Sequence, residues 1–316
     1  MTEPRLRLGV SACLLGERVR YDGGHKRDGF VADVLAEHFE LVPMCPEVAI
    51  GLGVPRAPIR LVQTAAGVRV RGVRDVELDV TDALDAEAAR VCRQLAGLCG
   101  YVLKKNSPSC GMARVKTYTE SGQEHGRGSG AFAAGLMARA PLLPVEEEGR
   151  LRDPVLRENF IERVFAYARW QALLAAGASG AALVDFHGRH KYQLLAHNQA
   201  AYRRLGRLVA GAGRQPPAGL LADYGAQFMA ALGRHASVGG HVNVLQHLAG
   251  YLKDRLDDVD RAELHEAIDA YRQRRAPRLV PVTLLRHHLR RAPHPWAAAQ
   301  TYLNPDPREQ VLLNHV

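Results

Sequence analysis

Three times this chain runs a short apolar stretch into a glycine- or proline-marked turn that carries one cysteine. The stretches are Leu8-Gly9-Val10-Ser11-Ala12-Cys13-Leu14-Leu15-Gly16, Leu41-Val42-Pro43-Met44-Cys45-Pro46-Glu47, and Tyr101-Val102-Leu103 followed by Lys104-Lys105-Asn106-Ser107-Pro108-Ser109-Cys110-Gly111. Apolar runs this short, bounded by Gly and Pro, read as buried strands. In an open α/β sheet, ligands bind outside the carboxyl ends of the strands, so three such loops converge at one place. Cys13, Cys45 and Cys110 are therefore expected to bind one metal centre. Ser11, Lys104, Asn106 and Ser109 lie within these stretches and are expected to contact a substrate there.

Between the first two stretches, Val19-Arg20-Tyr21-Asp22-Gly23-Gly24 forms a polar loop whose Arg20, Tyr21 and Asp22 are expected beside Cys13. Asp22 before two glycines reads equally well as a hairpin-type turn. Phe30, Val31, Val34, Leu35 and Phe39 fall at helical spacing, predicting a helix over 29–39. Gly and Pro deny regular structure to 51–58, where Arg56 reads first as a solvated arginine and second as a phosphate contact. Val62 to Val76 predicts a hairpin. Thr81 is the expected N-cap of a helix carrying Leu84, Ala88, Val91, Leu95 and Leu98, with Cys92 and Cys99 as small core residues. Gly122 to Gly130 predicts a surface loop, with Gly126-Arg127-Gly128-Ser129-Gly130 a weak candidate for seating an anion at the next helix.

A chain of 316 residues, 47% hydrophobic, suits about two domains. The change of character at Glu146-Glu147-Glu148-Gly149-Arg150 divides an open, Rossmann-like α/β domain over 1–150 from an all-α domain over 151–316. Helices are expected around Leu156, Phe160, Val164 and Tyr167, around Leu194, His197, Tyr202 and Leu205, and over 218–232, 236–256, 260–275 and 282–291. Five cysteines, an odd number in a long chain, do not make a secreted disulfide framework and predict a cytoplasmic, reducing setting. No apolar run reaches the roughly 20 residues that span a bilayer. Val10-Ser11-Ala12-Cys13 resembles a lipoprotein box, but the stretch after Arg7 is too short for a signal-peptide core of about 7–15 residues.

Of the 42 Lys+Arg and 33 Asp+Glu, residues 1–150 hold 20 and 19, leaving 42 − 20 = 22 and 33 − 19 = 14 for the second domain. That domain therefore carries +8 of the formal +9, which favours an anionic partner, RNA first. Tyr271-Arg272-Gln273-Arg274-Arg275 and Arg286-His287-His288-Leu289-Arg290-Arg291 are its densest basic runs. The histidines of Asp185-Phe186-His187-Gly188-Arg189-His190-Lys191-Tyr192 and His197 suit phosphate and sugar contacts better than metal ligation.

The cysteine spacings of 45 − 13 = 32 and 110 − 45 = 65 exclude the compact knuckles of zinc ribbons and ferredoxins. Three thiolates leave one coordination position open, on a [4Fe–4S] cluster or on zinc; idle buried thiols are the remaining alternative.

Val10 to Gly16, Tyr21-Asp22-Gly23-Gly24, Cys45-Pro46-Glu47 and Ser107-Pro108-Ser109-Cys110-Gly111 resemble the thiouracil desulfidase family. His241-Val242-Asn243-Val244-Leu245-Gln246-His247, Pro281-Val282-Thr283-Leu284-Leu285 and Thr301-Tyr302-Leu303-Asn304-Pro305 resemble the helical domain often fused to it, an arrangement similar to bacterial tRNA 4-thiouridine desulfidases. The resemblance implies a [4Fe–4S] cluster on Cys13, Cys45 and Cys110, Glu47 and Ser107 as catalytic residues, and thiolated uracil nucleotides or tRNA as partners. It implies hydrolytic, non-redox release of sulfide. No feature calls for a membrane or a protein partner. A sulfur-inserting tRNA thiolase would need a nucleotide-binding loop that the sequence lacks, and a non-catalytic metal-stabilised RNA-binding protein would leave Glu47 and Ser107 without use.

Overall fold

A computed structural model describes residues 5–94 and 97–313. The chain forms two compact units, Met1–Phe160 and Ile161–Val316. The first unit holds eight strands among its described residues: β1 (Leu6–Ser11), β2 (Phe39–Met44), β3 (Ile59–Thr64), β4 (Gly67–Gly72), β5 (Leu98–Leu103), β6 (Val115–Thr119), β7 (Glu124–Gly128) and β8 (Val145–Glu147).

Strands β2-β1-β5-β8 make one sheet, parallel throughout. Every residue of β5 is buried, as a central strand covered on both faces requires. Gly9 pairs in register with Tyr101, and a Cβ at Gly9 would stand 2.5 Å from the Tyr101 ring. The missing side chain is what lets the ring lie across the strand. All three cysteine stretches leave this sheet at carboxyl ends of neighbouring strands.

The segment expected to be an α-helix over 29–39 is a π-helical turn, Phe30–Leu35, followed by α1 (Ala36–His38), with Phe39 already in β2. Helix α2 (Pro46–Ala49) starts directly after Cys45, and α3 (Thr81–Arg93) and α4 (Ala131–Arg139) follow. Thr81 is the first residue of α3 rather than its cap: its hydroxyl is engaged by the Val70 N–H and by Asp79. Leu98 opens β5 instead of closing that helix, while Leu95 lies outside the described residues.

The expected hairpin is β3 and β4, but it belongs to a second, mixed sheet, β4-β3-β6-β7. Parallel pairing of β3 with β6 completes it, and the glycine-rich segment expected as a loop supplies β7.

The second unit is helical throughout its described residues. The helix α5 (Pro154–Ala175) contains the division between units; α6 (Gly180–Arg189), α7 (Lys191–His197), α8 (Gln199–Ala210), α9 (Ala218–Leu232), α10 (Val238–Gly250), α11 (Asp258–Arg272), α12 (Leu279–Arg291), α13 (Pro295–Ala298) and α14 (Pro307–Leu313) follow. Its core joins Tyr192, Leu245, Leu248, Leu264, Leu285 and Leu303. The expected helix through Leu194 and Leu205 is broken at Asn198, whose side chain caps α8 by accepting from the Ala201 N–H.

Candidate active site

Cys13 sits on the 3₁₀ turn Ala12–Leu15 that ends β1, Cys45 on the N-cap of α2 after β2, and Cys110 in the loop after β5. All three line one cleft of about 420 Å³ together with Ser11, Glu47 and Ser107. The thiols are close enough to raise one another's pKa, but burial is the larger cause: it pushes Cys13 up to about 11, raises Cys45, and raises Cys110 well above the usual thiol range. Without a cation the cleft therefore holds protonated thiols. Cys92 and Cys99 are absent from its lining.

Glu47 is fixed through both oxygens. Oε2 accepts from Arg56 Nε at 2.8 Å and from an Arg56 terminal nitrogen at 2.6 Å; Oε1 accepts from the Ser109 hydroxyl at 2.8 Å. The Arg56 side chain is only 6% exposed and also donates to the Val19 and Gly53 carbonyls, so it is a buried clamp and neither solvated nor placed over a phosphate. Ser107 Oγ accepts from the N–H groups of Ser109 and Cys110, bracing the turn that presents the cysteine.

The Cys110 loop is seated on α4. The Pro108 and Ser109 carbonyls accept from the Ala131 and Ala133 N–H groups, satisfying donors that a helix start leaves open. This is why no anion seat forms there. A Cβ on Gly130 would lie 2.5 Å from the Ser109 backbone, so the glycine serves close packing.

Of the expected substrate residues, Tyr21, Lys104, Asn106 and Ser11 line the cleft. Ser11 is buried and accepts from the Lys104 N–H, tying the ends of β1 and β5 together. Ser109, 0% exposed, and Asp22 are not in the lining: Ser109 supports Glu47 from below, and Asp22 closes its own turn by accepting from the Gly24 N–H.

The family model for 2-thiouracil desulfurase matches residues 8–148, and a second, a protein family of unknown function (DUF1722), matches 191–307. The uncharacterized protein YbgA of Escherichia coli K12 is 33% identical over 48% of this chain and 90% of its own length. The uncharacterized protein YbbK of Bacillus subtilis 168 is 30% identical over 40% of this chain and 85% of its own. The chain belongs to the 2-thiouracil desulfurase family. A solved structure, the [4Fe–4S]-dependent thiouracil desulfidase TudS, shares 31% identity over 48% of this chain and 95% of its own, with a TM-score of 0.38.

This desulfurase-family site has parts that sequence reasoning misses. Glu147 accepts from the Met112 N–H, and Glu148 holds the Lys104 ammonium and the Lys105 N–H, so two buried carboxylates at the end of β8 fasten both ends of the Cys110 loop. Burial raises the Glu147 pKa. In sequence the glutamates mark only a change of character between domains. The run Leu142 to Gly149 nevertheless has the form of the three cysteine stretches, an apolar segment delivering polar groups into a glycine turn, and that form is the available signal.

In the helical unit the histidine cluster is core, not surface. His187 stacks on Tyr202 and bonds Tyr224, His190 stacks on Phe186, and buried His197 pairs with Glu162 at 2.9 Å. None is exposed for phosphate or sugar contacts. No helix of the described chain is long and apolar enough to cross a membrane.

Proposed function

We propose that this chain is an iron–sulfur desulfidase that removes sulfur from a thiolated uracil, 4-thiouridine in tRNA above all, releasing sulfide and leaving uridine. The carrying observation is the meeting of three strand-end cysteines with Glu47 and Ser107 on one cleft. The donor set fits a [4Fe–4S] cluster: three soft thiols arrive from separate strands, and the buried Tyr101 hydroxyl, with no hydrogen-bond partner, lies within their electrostatic reach. Held by Cys13, Cys45 and Cys110, the cluster supplies an iron without a protein ligand as a Lewis acid for a thiocarbonyl sulfur.

The remaining steps belong to the protein. Both acceptor sites of the Ser107 hydroxyl are taken by backbone N–H groups, so its proton is left to donate to the heterocycle or to orient water. Glu47, immobilised by Arg56 and Ser109, faces the cleft to take a proton from the attacking water and return it to departing sulfur. Thiocarbonyl plus water gives carbonyl plus hydrogen sulfide, with no electrons exchanged. Asn106 and Tyr21 offer an amide and a ring to the pyrimidine. Five unpaired cysteines accord with work in a reducing compartment such as the cytoplasm.

The test is anaerobic preparation followed by iron and sulfide analysis and assay with 4-thiouridine, its monophosphate and 4-thiouridine-containing tRNA. About four irons per chain and sulfide release in step with uridine are expected. Stoichiometric zinc, or an iron-loaded protein that releases no sulfide from any of the three, would overturn the reading.

A further inference from the structure

The mixed sheet carries a second cleft, of about 540 Å³, which shares Ile59, Asn106 and Pro108 with the first. Asn106 and Pro108 belong to the Cys110 loop, so that loop is the ridge between the two. Beyond the ridge the lining includes Arg60, Arg114, Lys116, Arg127 and Tyr118, and no carboxylate.

The first unit's charge is nearly balanced by count, which makes this concentration local. Lys116 and Arg127 share a single partner, Glu124. Arg60 and Arg114 have no carboxylate partner among the described residues. The Arg60 guanidinium lies 5.3 Å from the centre of the Tyr118 ring, and its Nε is buried with no hydrogen-bond partner. Four cations, one carboxylate and an aromatic face are the elements that hold a single nucleic-acid strand, by charge along the backbone and by stacking of a base.

We infer that this cleft binds the phosphodiester backbone of the RNA strand flanking the nucleotide whose base enters the cysteine-lined cleft. The inference rests on the function proposed above and adds where the polynucleotide runs. A base that reacts at its ring carbon must be unstacked from its neighbours, which leaves the adjoining backbone as single strand at the cleft mouth. The shared ridge puts the cationic cleft one wall away. An acidic peptide would satisfy the charge but gives no reason for the cleft to adjoin the site or for Tyr118 to line it.

The full chain carrying Arg60→Gln, alone and with Arg127→Gln, tests this. Steady-state sulfide release is measured on 4-thiouridine nucleoside and on 4-thiouridine-containing tRNA, and binding of unmodified tRNA is titrated against salt. The double variant is expected to raise KM for tRNA about tenfold and to leave kcat and nucleoside turnover within about twofold. Removing one cation from a phosphate should lower the slope of log affinity against log salt by about 0.7, the single-strand value.

Unchanged KM and salt slope in a variant that melts like the parent would overturn the inference, as would an equal loss on nucleoside and tRNA. So would displacement of tRNA by a polyglutamate peptide as readily as by polyuridylate. Should Arg60→Gln not fold, Lys116→Gln with Arg127→Gln on exposed strand positions makes the same test. A parent that bound tRNA with this slope yet released no sulfide from either substrate would count against the proposed chemistry, not against the cleft.

Discussion

Glu47 and Ser107 are held by the protein and hold none of the proposed cluster, so chemistry and assembly come apart at single residues. Cys13→Ser, Cys45→Ser and Cys110→Ser should each lose iron and activity, while Cys92→Ser and Cys99→Ser keep both; iron analysis decides. Glu47→Gln should keep iron and lower sulfide release by about 10²–10⁴, the usual worth of a positioned acid–base group. Arg56→Lys keeps the charge but loses the planar fork onto Glu47 and the reach to Val19, and about a tenfold fall in kcat with iron retained is expected. At this scale the cysteines are legible in sequence because each ends an apolar run. Arg56 is not, because its partner is reached through an irregular loop that no periodicity describes. Ser109 is expected in the cleft and lies beneath it, because a loop sequence does not say which hydroxyl faces inward.

Elements differ in how far local pattern specifies them. Strands β1, β2 and β5 are readable from their apolar runs and β8 is not, whereas β6 takes its place by pairing with β3, a long-range partner that local pattern does not encode, and β7, short and rich in glycine and charge, by pairing with β6. Gly130 likewise has the look of loop composition and proves to be a packing requirement. Gly130→Ala should drive the Cys110 loop off α4, costing about 2–4 kcal/mol and lowering iron content, seen as a fall in melting temperature with loss of cluster absorbance. Buried His190 makes the stability of the second unit depend on acid. Burial lowers the His190 pKa from 6.5 to about 3, so as pH falls below 6.5 the unfolded chain takes up a proton that the folded chain refuses. Stability is lost toward pH 3 at about 1.4 kcal/mol per pH unit for this group. His190→Phe should flatten the acid limb by that slope. Trp170 and Trp296, both tryptophans of the chain, lie in the helical unit, so urea denaturation followed by their fluorescence reads it directly.

For the whole molecule, the one-sided charge is legible by counting, but not which cations are available. Arg286 is tied to Gln310 and Arg291 pairs with Asp260, leaving Arg290 as the exposed member of the run without an ion pair among the described residues. Neutralising Arg286, Arg290 and Arg291 together should weaken tRNA binding and its salt dependence while turnover of a small thionucleoside stays nearly constant; an unchanged salt slope would remove this helix from the RNA surface. The order β2-β1-β5 has one more consequence. During synthesis the third thiol-bearing stretch appears only after the β3–β4 hairpin and α3 have been made, and its strand must then insert beside β1. No partial chain ending before residue 110 presents a complete set of thiols. Delivery of the proposed cluster to these thiols would therefore act late, in contrast to a zinc knuckle whose ligands meet within a few residues and whose folding waits for the ion. The metal-free protein should be a folded, lasting intermediate that a cluster donor can find.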